Sequence, residues 1–284
     1  MENQLINDVS DTALWVAGYR AQETDRKDAV FQDPLARRLA GERGAKILAS
    51  MPYSKELAFA LTVRTVAIDR LVTSAISRGI DTVINLGAGL DTRPYRMQLP
   101  ADLRWIEVDF EHMITYKNEK LKAEKPVCHL ERISVDLSQD DERKKLFTRL
   151  GAETKKALVI TEGVITYLTN DQAARLSTDL FAVPSFHYWI QDYSQGKRRE
   201  NKVRKAVSKK LKNAPWKFQS PDPIHFFGEH GWKVVENIFI LDEADRIGRP
   251  LPVSFPWTIL YPLLKKKIRK VGNKTYGYVM YGKV

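Results

Sequence analysis

Short runs of β-branched and aromatic residues alternate with helix-length periodic segments from about residue 80 to the end of the chain. Such runs predict strands, and the periodic segments between them predict helices. The expected strands are DTVINLG, RWIEVD, HLERISVD, ALVITEG, FHYWIQDY, WKVVENIFIL and YGYVMYGK. Crossover helices are expected over 111–123, 140–150 and 170–182. This alternation predicts an α/β fold, with a mostly parallel seven-stranded sheet and helices on both faces.

The first eighty residues have helical rather than strand periodicity. Three helices are expected, over DTALWVAGYRAQET, PLARRLAGERG and KELAFALTVRTVAIDRLVTSAISRG. One face of the third helix carries residues spaced by three or four positions, which are Leu57, Leu61, Arg64, Ile68, Leu71 and Ala75. An arginine within an apolar stripe is costly to bury unpaired, so Arg64 should snorkel outward or meet an anion. The anion could be a structural carboxylate of the protein or a bound ligand, and the sequence leaves both alternatives open.

Length and cysteine content limit the class of protein. The 284 residues can bury a core without covalent cross-links, and the single cysteine, Cys128, excludes an internal disulfide. No metal-ligand spacing surrounds Cys128, so no metal is expected. The apolar runs are too short to span a bilayer, and the N-terminus lacks the pattern of a signal peptide. These features predict a cytoplasmic protein.

The formal net charge of +11 is concentrated in two segments. Segment 197–217 contains ten Lys or Arg and one acid, Glu200, and segment 257–270 contains five basic residues and no acid. Because the rest of the chain is close to neutral, nucleic acid is not the expected partner. We expect 195–225 to be a basic lid that recruits an acidic substrate or an acidic carrier protein. A solvated surface helix is the alternative.

The second basic segment also contains apolar residues at helical spacing. We expect these residues to pack against the sheet; they are Trp257, Leu260, Leu264 and Ile268. Peripheral contact with a membrane surface or with a partner is the alternative.

The stretch VINLGAGLDTRPYR places Gly87, Ala88 and Gly89 directly after the first strand. Glycines here let a ligand approach the backbone closely, although this pattern alone is a weak signal. The third glycine of a dinucleotide fingerprint is missing, and Asp91 would bring negative charge toward a pyrophosphate. The loop therefore favours a ligand without phosphates, with a helix N-terminus expected just beyond it.

Acidic residues also stand where the next three strands end. Asp109 ends the second strand, at a place where a carboxylate accepts hydrogen bonds from ribose hydroxyls. Asp136 and Leu137 stand at the end of the third strand, where they could flank an adenine, and Glu162 at the end of the fourth. Because parallel strands end at one edge of a sheet, these residues together predict a nucleoside site.

Several strings of the sequence resemble one family of enzymes. They are SDTALWVAGYRAQET, FQDPLARRLAG, the VRT of 63–65, NLGAGLDTRPYR, WIEVDF, the VDL of 135–137 and TEGVITYL. They resemble the S-adenosylmethionine-dependent methyltransferases of the leucine carboxyl methyltransferase superfamily, in particular its bacterial O-methyltransferase branch linked to polyketide-type products. The resemblance runs from about Ser10 to the C-terminus and is most specific up to Leu168. It implies a Rossmann-like class I methyltransferase fold and S-adenosyl-L-methionine as cofactor.

The resemblance also implies roles for the candidate cofactor-binding residues. Arg64 would pair with the methionine carboxylate, and Glu162 would face the amino group of the cofactor. Gly87, Ala88 and Gly89 would pass beneath its methionine and ribose.

Three further cofactor contacts follow from the same resemblance. Asp109 would hold the ribose, and Asp136 with Leu137 would border the adenine. Arg20 would add a basic contact from a flexible N-terminal segment that closes over the site.

The resemblance divides the single domain 1–284 into four parts. They are a helical cap (1–79), the cofactor-binding core (80–194), the lid insertion (195–225) and the C-terminal strands and helix (226–284). An oxygen of a small substrate, either a carboxylate or a hydroxyl, would attack the methyl group in line with the departing sulfur.

Candidate catalytic groups are few. Tyr167 is the catalytic candidate, as a residue lining the methyl-transfer pocket, with a core tyrosine as the alternative. His112 and His187 are expected to be structural. Two other functions stay open from the residues alone: a nicotinamide-dependent oxidoreductase, and a non-catalytic binding protein on the same fold that engages nucleic acid.

Overall fold

A seven-stranded sheet forms the centre of the computed structural model, which describes residues 5–194, 202–252, 268–269 and 276–283. The strands are β1 (Thr82–Leu86), β2 (Arg104–Asp109), β3 (His129–Ser134), β4 (Ala157–Thr161), β5 (Phe186–Ser194), β6 (Lys233–Phe239) and β7 (Tyr276–Gly282). Their order is β3-β2-β1-β4-β5-β7-β6. Strands β1 to β5 pair in parallel, and β7 runs antiparallel between β5 and β6. The predicted α/β class and all seven strands are confirmed.

Ten α-helices are described around this sheet. They are α1 (Asp11–Thr24), α2 (Ala36–Ser50), α3 (Ser54–Ser77), α4 (Arg93–Arg96), α5 (Glu111–Leu121), α6 (Asp140–Glu153), α7 (Asn170–Ala182), α8 (Lys202–Lys210), α9 (Pro223–Gly228) and α10 (Ile240–Arg246). A 3₁₀ turn covers Ile165–Tyr167. Helices α1 and α7 have the bounds that the sequence predicts.

Both faces of the sheet are buried, as expected for parallel strands covered by helices. Every residue of β1 and β4 is buried, so these strands show no alternation of buried and exposed positions. Helices α3 and α10 pack on one face. Helices α6, α7 and α9 pack on the other, around an aromatic group that includes Trp189, Phe227 and Trp232. The strand order reverses between β1 and β4, because β2 and β3 lie on one side of β1 and β4 and β5 lie on the other. Open α/β sheets bind ligands at such a switch point.

The N-terminal helices form a further layer over the carboxyl end of the sheet. Their core includes Leu14, Trp15, Leu39 and Leu61, and the apolar side of α8 joins it through Val207. The basic segment, as far as it is described, is therefore docked on the N-terminal helices. Residues 195–201 and most of 253–275 lie outside the described residues, and so do Trp257, Leu260 and Leu264. Ile268 packs against the core on the α3 face.

The connection after β1 differs from the expected helix. Its only helical turn is α4, four residues long, and the chain is extended again at Met97. The guanidinium groups of Arg93 and Arg96 bind Asp69 of α3, so side-chain ion pairs hold this connection in place. Within the described residues, no helix combines the length and apolar character needed to cross a bilayer.

Candidate functional site

One cavity of about 1390 Å³ lies at the carboxyl ends of β1 to β5. All the candidate site residues line it: Arg20, Arg64, Gly87, Ala88, Gly89, Asp109, Asp136, Leu137, Glu162 and Tyr167. Pockets for one small ligand usually measure about 300–1000 Å³. The cavity therefore has room for two ligands side by side.

The glycine loop after β1 is shaped by two left-handed residues. Gly87 has φ +64° and Gly89 has φ +47°, a region that side chains disfavour. A Cβ on Gly87 would lie 2.6 Å from Cγ2 of Val164, so this glycine also allows the loop to pack on the segment after β4. The backbone N–H of Gly89 donates to Oδ2 of Asp109 at 2.6 Å. The loop is thereby tied to the end of β2.

Asp109 is held with its carboxylate at the cavity wall. Its Oδ2 accepts from Gly89, and its Oδ1 accepts from the N–H of Phe110 at 2.8 Å. Burial raises the pKa of Asp109, although these two hydrogen bonds oppose the shift. An ionised carboxylate offers about four acceptor positions, so this group can also accept two ribose hydroxyls. The predicted role of Asp109 fits its surroundings.

Asp136 lies beyond the end of β3, where the sequence analysis expected an adenine-flanking carboxylate. Its Oδ1 accepts from the N–H of Ser138 at 2.9 Å, and the carbonyl of Leu137 accepts from Arg143 at 2.8 Å. Both residues line the same cavity as Asp109. Their contact with an adenine stays a prediction.

Arg64 and Glu162 form an ion pair, with 2.9 Å between Nε and Oε1. Asp192 lies 4.0 Å from Nη1 of the same guanidinium. Burial acts to lower the pKa of Arg64, but these two carboxylates raise it above its ordinary value. The resemblance assigned Arg64 and Glu162 to opposite charges of one ligand. An amino acid carries both charges on one carbon, so it can bind both partners of this pair.

Asp91 forms an ion pair within the protein. This corrects the expectation that its negative charge would repel a pyrophosphate. Its Oδ2 lies 2.8 Å from Nη1 of Arg93 and also accepts from Asn85. Arg93 further binds Asp69 at 2.7 Å and Glu162 at 2.8 Å. Burial would raise the pKa of Asp91, but Arg93 holds it well below its ordinary value. Its charge is thus balanced by Arg93, and Arg93 in turn holds Glu162.

Arg20 belongs to the regular helix α1 rather than to a flexible segment. Its Nε donates to Asp33 at 2.8 Å, and its Nη2 donates to the carbonyl of Leu90 at 2.5 Å. Asp33 also accepts from the hydroxyl of Thr92 at 2.6 Å. Arg20 therefore fixes the glycine loop against α1, and its direct contact with a cofactor stays a prediction.

Comparison with known proteins decides which enzyme class this site belongs to. Residues 13–181 match the family described as leucine carboxyl methyltransferase. The chain belongs to this family. A provisionally named S-adenosyl-L-methionine-dependent methyltransferase of Streptomyces coelicolor is 32% identical over 256 residues, covering 84% of this chain and 88% of the relative. A similarly named protein of Frankia alni is 30% identical over 252 residues, covering 84% and 87%.

Solved structures share the fold of this methyltransferase. A DUF574 family protein from Streptomyces avermitilis superposes with a TM-score of 0.60 at 13% identity, covering 94% of this chain and 97% of the other. A provisionally named methyltransferase from Thermobifida fusca gives 0.59 at 16% identity, covering 99% and 96%. The Rossmann-like fold is confirmed, and family membership favours the methyltransferase over the oxidoreductase and the non-catalytic protein that the residues alone left open.

The site fits S-adenosylmethionine, the cofactor of this family, by the chemistry of its donors. The Arg64–Glu162 pair matches an amino acid, and the carboxylate of Asp109 matches a ribose. The glycine loop between them brings backbone without side chains to the cavity wall.

Tyr167 stands on the wall of the cavity beyond Glu162. The side chains of Thr12 and Trp216 lie near its hydroxyl. Burial raises the pKa of Tyr167. These contacts favour a positioning residue over a base, and a catalytic role stays a prediction.

Three wall residues of this methyltransferase were missed by sequence reasoning. Asp192 lies near the end of β5, and its Oδ1 accepts from the N–H of Gly163 at 2.6 Å, with the Tyr276 hydroxyl 3.4 Å from Oδ2. The signal was present, because Asp192 is an acid near a strand end like the others. Phe110 directly follows Asp109 on the wall. Tyr276 comes from β7, whose place beside β5 no local pattern reveals.

The surroundings of His112 and His187 suit the structural roles expected for them. His112 is exposed, lies 2.8 Å from the hydroxyl of Ser10 and stacks on Phe110. His187 has its Nδ1 3.0 Å from the carbonyl of Ser185. Neither lines the cavity.

Proposed function

We propose that this methyltransferase transfers the methyl group of S-adenosylmethionine to an oxygen of a small acceptor that is itself acidic or is carried by an acidic protein. The observation that carries the proposal is the continuity of the cavity. It runs from the groups suited to the cofactor, Asp109 and the Arg64–Glu162 pair, to a wall formed by α8 and the segment around Trp216. Cofactor and acceptor can therefore lie in one continuous cavity.

When bound, S-adenosylmethionine supplies a methyl group on a positively charged sulfur, so that its transfer forms a C–O bond and breaks the C–S bond. The protein contributes alignment, which alone can lower a barrier by several kcal/mol. Arg64 and Glu162 hold one end of the cofactor, and Asp109 holds the ribose. A carboxylate acceptor needs no base, whereas a hydroxyl acceptor must give up a proton.

The acceptor side is ordered by contacts within the protein. Tyr167 lies between α1 and the segment after α8, because the side chains of Thr12 and Trp216 are both near its hydroxyl. The apolar residues Val203, Val207 and Phe218 line the same part of the cavity. Closure of this wall excludes water from the transfer, which favours the acceptor oxygen over hydrolysis.

A methyl-transfer screen tests the proposed activity. The enzyme is incubated with labelled S-adenosylmethionine and fractions of small acids, phenols and acyl carrier proteins. We expect label in an ester, released by base, or in an ether, which resists base. Tyr167→Phe should lower the transfer rate but keep the affinity for S-adenosylhomocysteine. Label found only on nitrogen, carbon or sulfur would contradict the proposal.

An acidic carrier partner would be attracted by the exposed basic residues of α8, among them Lys209 and Lys210. Such attraction is long-range and weakens with salt. We expect KM for a carrier-bound acceptor to rise with ionic strength, and to rise again in Lys209→Gln/Lys210→Gln. A salt-independent KM for every acceptor that the screen finds would contradict recruitment by charge. Neither a nucleic-acid partner nor a membrane partner is part of the proposal.

A further inference from the structure

Six cationic side chains line the described wall of the cavity, and four of them are paired. The paired ones, each 2.7–2.9 Å from a carboxylate, are Arg20, Arg64, Arg93 and Arg96. The other two are Arg204 and Lys217. Among the residues that the structure describes, neither has a carboxylate within ion-pair distance. The cofactor half of the cavity is thus internally neutralised, whereas the opposite half carries two uncompensated cations.

The position of Arg204 is set by an aromatic ring. Its guanidinium carbon lies 5.0 Å from the centroid of the Trp216 ring. The same Trp216 lies near the side chain of Tyr167, which follows Glu162 by five residues. Trp216 is therefore a common neighbour of Arg204 and Tyr167.

The backbone anchors Lys217 to the same place. Its N–H donates to the carbonyl of Thr166 at 2.8 Å, and the N–H of Phe218 is directed to the same carbonyl. Thr166 lies in the 3₁₀ turn that also contains Tyr167. Arg204 is thus placed near the turn beside Glu162 through Trp216, and the backbone of Lys217 is anchored to that turn while its side chain is exposed.

The wall around these cations is largely apolar. Val203, Val207, Tyr193 and Phe227 line it, and Phe218 stacks on Phe227 with 5.8 Å between ring centroids. Charges act more strongly beside a low-dielectric wall than in open water. An anion attached to an apolar body would satisfy both the cations and this wall.

We propose that Arg204 and Lys217 form an anion subsite of the acceptor pocket. The acceptor is then an elongated molecule with an apolar, preferably aromatic, body and an anionic group at the end remote from the methylated oxygen. This inference rests on the proposed function, since it assigns the cofactor to the half of the cavity around Asp109 and Glu162. Trp216 and Tyr167 stand between the cations and Glu162, so the anion at Arg204 is not the group that receives the methyl.

The subsite is distinct from the general basic character of α8. All four residues are exposed, but Arg204 and Lys217 line the cavity, whereas Lys209 and Lys210, on the same helix as Arg204, do not. A double substitution at Lys209 and Lys210 removes two positive charges, as does a double substitution at Arg204 and Lys217. It is therefore a matched control for long-range attraction.

Two fluorescent probes of one shape test the subsite. The anion 1-anilinonaphthalene-8-sulfonate and the neutral N-phenyl-1-naphthylamine share the same aromatic body and differ in the sulfonate. Each is titrated into the full-length enzyme saturated with S-adenosylhomocysteine, so that the cofactor half is filled. The proteins compared are wild type, Arg204→Gln/Lys217→Gln and Lys209→Gln/Lys210→Gln.

We expect Arg204→Gln/Lys217→Gln to weaken binding of the sulfonate about tenfold, equivalent to about 1.4 kcal/mol, with the neutral probe unchanged. The control variant should bind both probes as wild type does. Equal weakening of both probes would mean a merely structural effect and would overturn the subsite. Unchanged sulfonate binding, or an equal loss in the control, would overturn it as well.

Failure of the underlying function gives a different result. Calorimetry of wild type with S-adenosylhomocysteine is run before the probes. An absence of binding there contradicts the proposed cofactor, and with it the assignment of the two halves of the cavity. Binding there combined with a failed probe comparison overturns only the anion subsite.

Discussion

Replacement of Asp109 by asparagine removes a charge from the cofactor half of the cavity and leaves its volume nearly unchanged. The carboxylate accepts from Gly89 at 2.6 Å and from Phe110 at 2.8 Å, and its remaining acceptor positions are assigned to the ribose. Asparagine retains one oxygen and places an amide donor at the other position. One charge-assisted hydrogen bond to the ribose is therefore lost, and the other is weakened.

The expected loss follows from these two bonds. A hydrogen bond to a charged group contributes about 1.5–3 kcal/mol, so Asp109→Asn should cost about 2–3 kcal/mol of binding free energy. This corresponds to a roughly 30- to 150-fold weaker Kd for S-adenosylhomocysteine. Isothermal titration calorimetry measures it directly. Asp141→Asn, at an exposed aspartate outside the cavity, is the control and should leave the Kd unchanged.

The pH dependence provides a second readout of the same group. Burial raises the pKa of Asp109 above its ordinary value, and the ribose hydroxyls prefer the ionised form. Affinity of the wild type should therefore fall as the pH is lowered from neutral toward this raised pKa, and Asp109→Asn should lack that component. A folded Asp109→Asn with wild-type affinity and an unchanged pH profile would refute the assignment.

Three further predictions concern stability. Gly87→Ala should lower the free energy of unfolding by about 1–3 kcal/mol. The loss should exceed that of Gly79→Ala, because both glycines have positive φ but a Cβ at Gly79 would meet open space. Equal losses in urea unfolding would contradict this prediction. Arg93→Met should lower the free energy of unfolding by about 3–5 kcal/mol, because it removes a guanidinium that is 3% exposed and that pairs with three carboxylates. A loss below about 1 kcal/mol is typical of an exposed ion pair and would contradict this prediction. Burial lowers the pKa of Lys283 from 10.5 to about 8. The unfolded chain then binds more protons than the folded one between these values, so the free energy of unfolding should gain a positive slope with pH there that Lys283→Met lacks; identical slopes would refute it.

Local patterns were sufficient to predict the seven strands and the longer helices of this fold. Strands such as β1 and β4 are short apolar runs bounded by polar residues, and α1 and α7 are periodic segments with clear ends. The place of β7 between β5 and β6 could not be predicted, because it depends on pairing between distant segments. A helix was expected after the glycine loop, but its length of only four residues was not, since ion pairs to Asp69 hold that connection and helical periodicity does not.

The site residues that could be predicted are those at the ends of the strands. Asp109, Asp136 and Glu162 follow successive parallel strands, so the topology brings them to one edge of the sheet. The partners of each charge could not be predicted in this way. Contact between Arg64 and Glu162 depends on how α3 packs over β4, which local sequence does not encode. The same holds for Arg204, which has no carboxylate partner within the part of the chain that the structure describes.

Titration of the wild-type enzyme with S-adenosylhomocysteine and with NAD in the same calorimeter tests the central claim most directly. The account predicts binding of S-adenosylhomocysteine at one site per chain, weakened in Asp109→Asn, and no comparable binding of NAD. Tight binding of NAD with no heat from S-adenosylhomocysteine would contradict it.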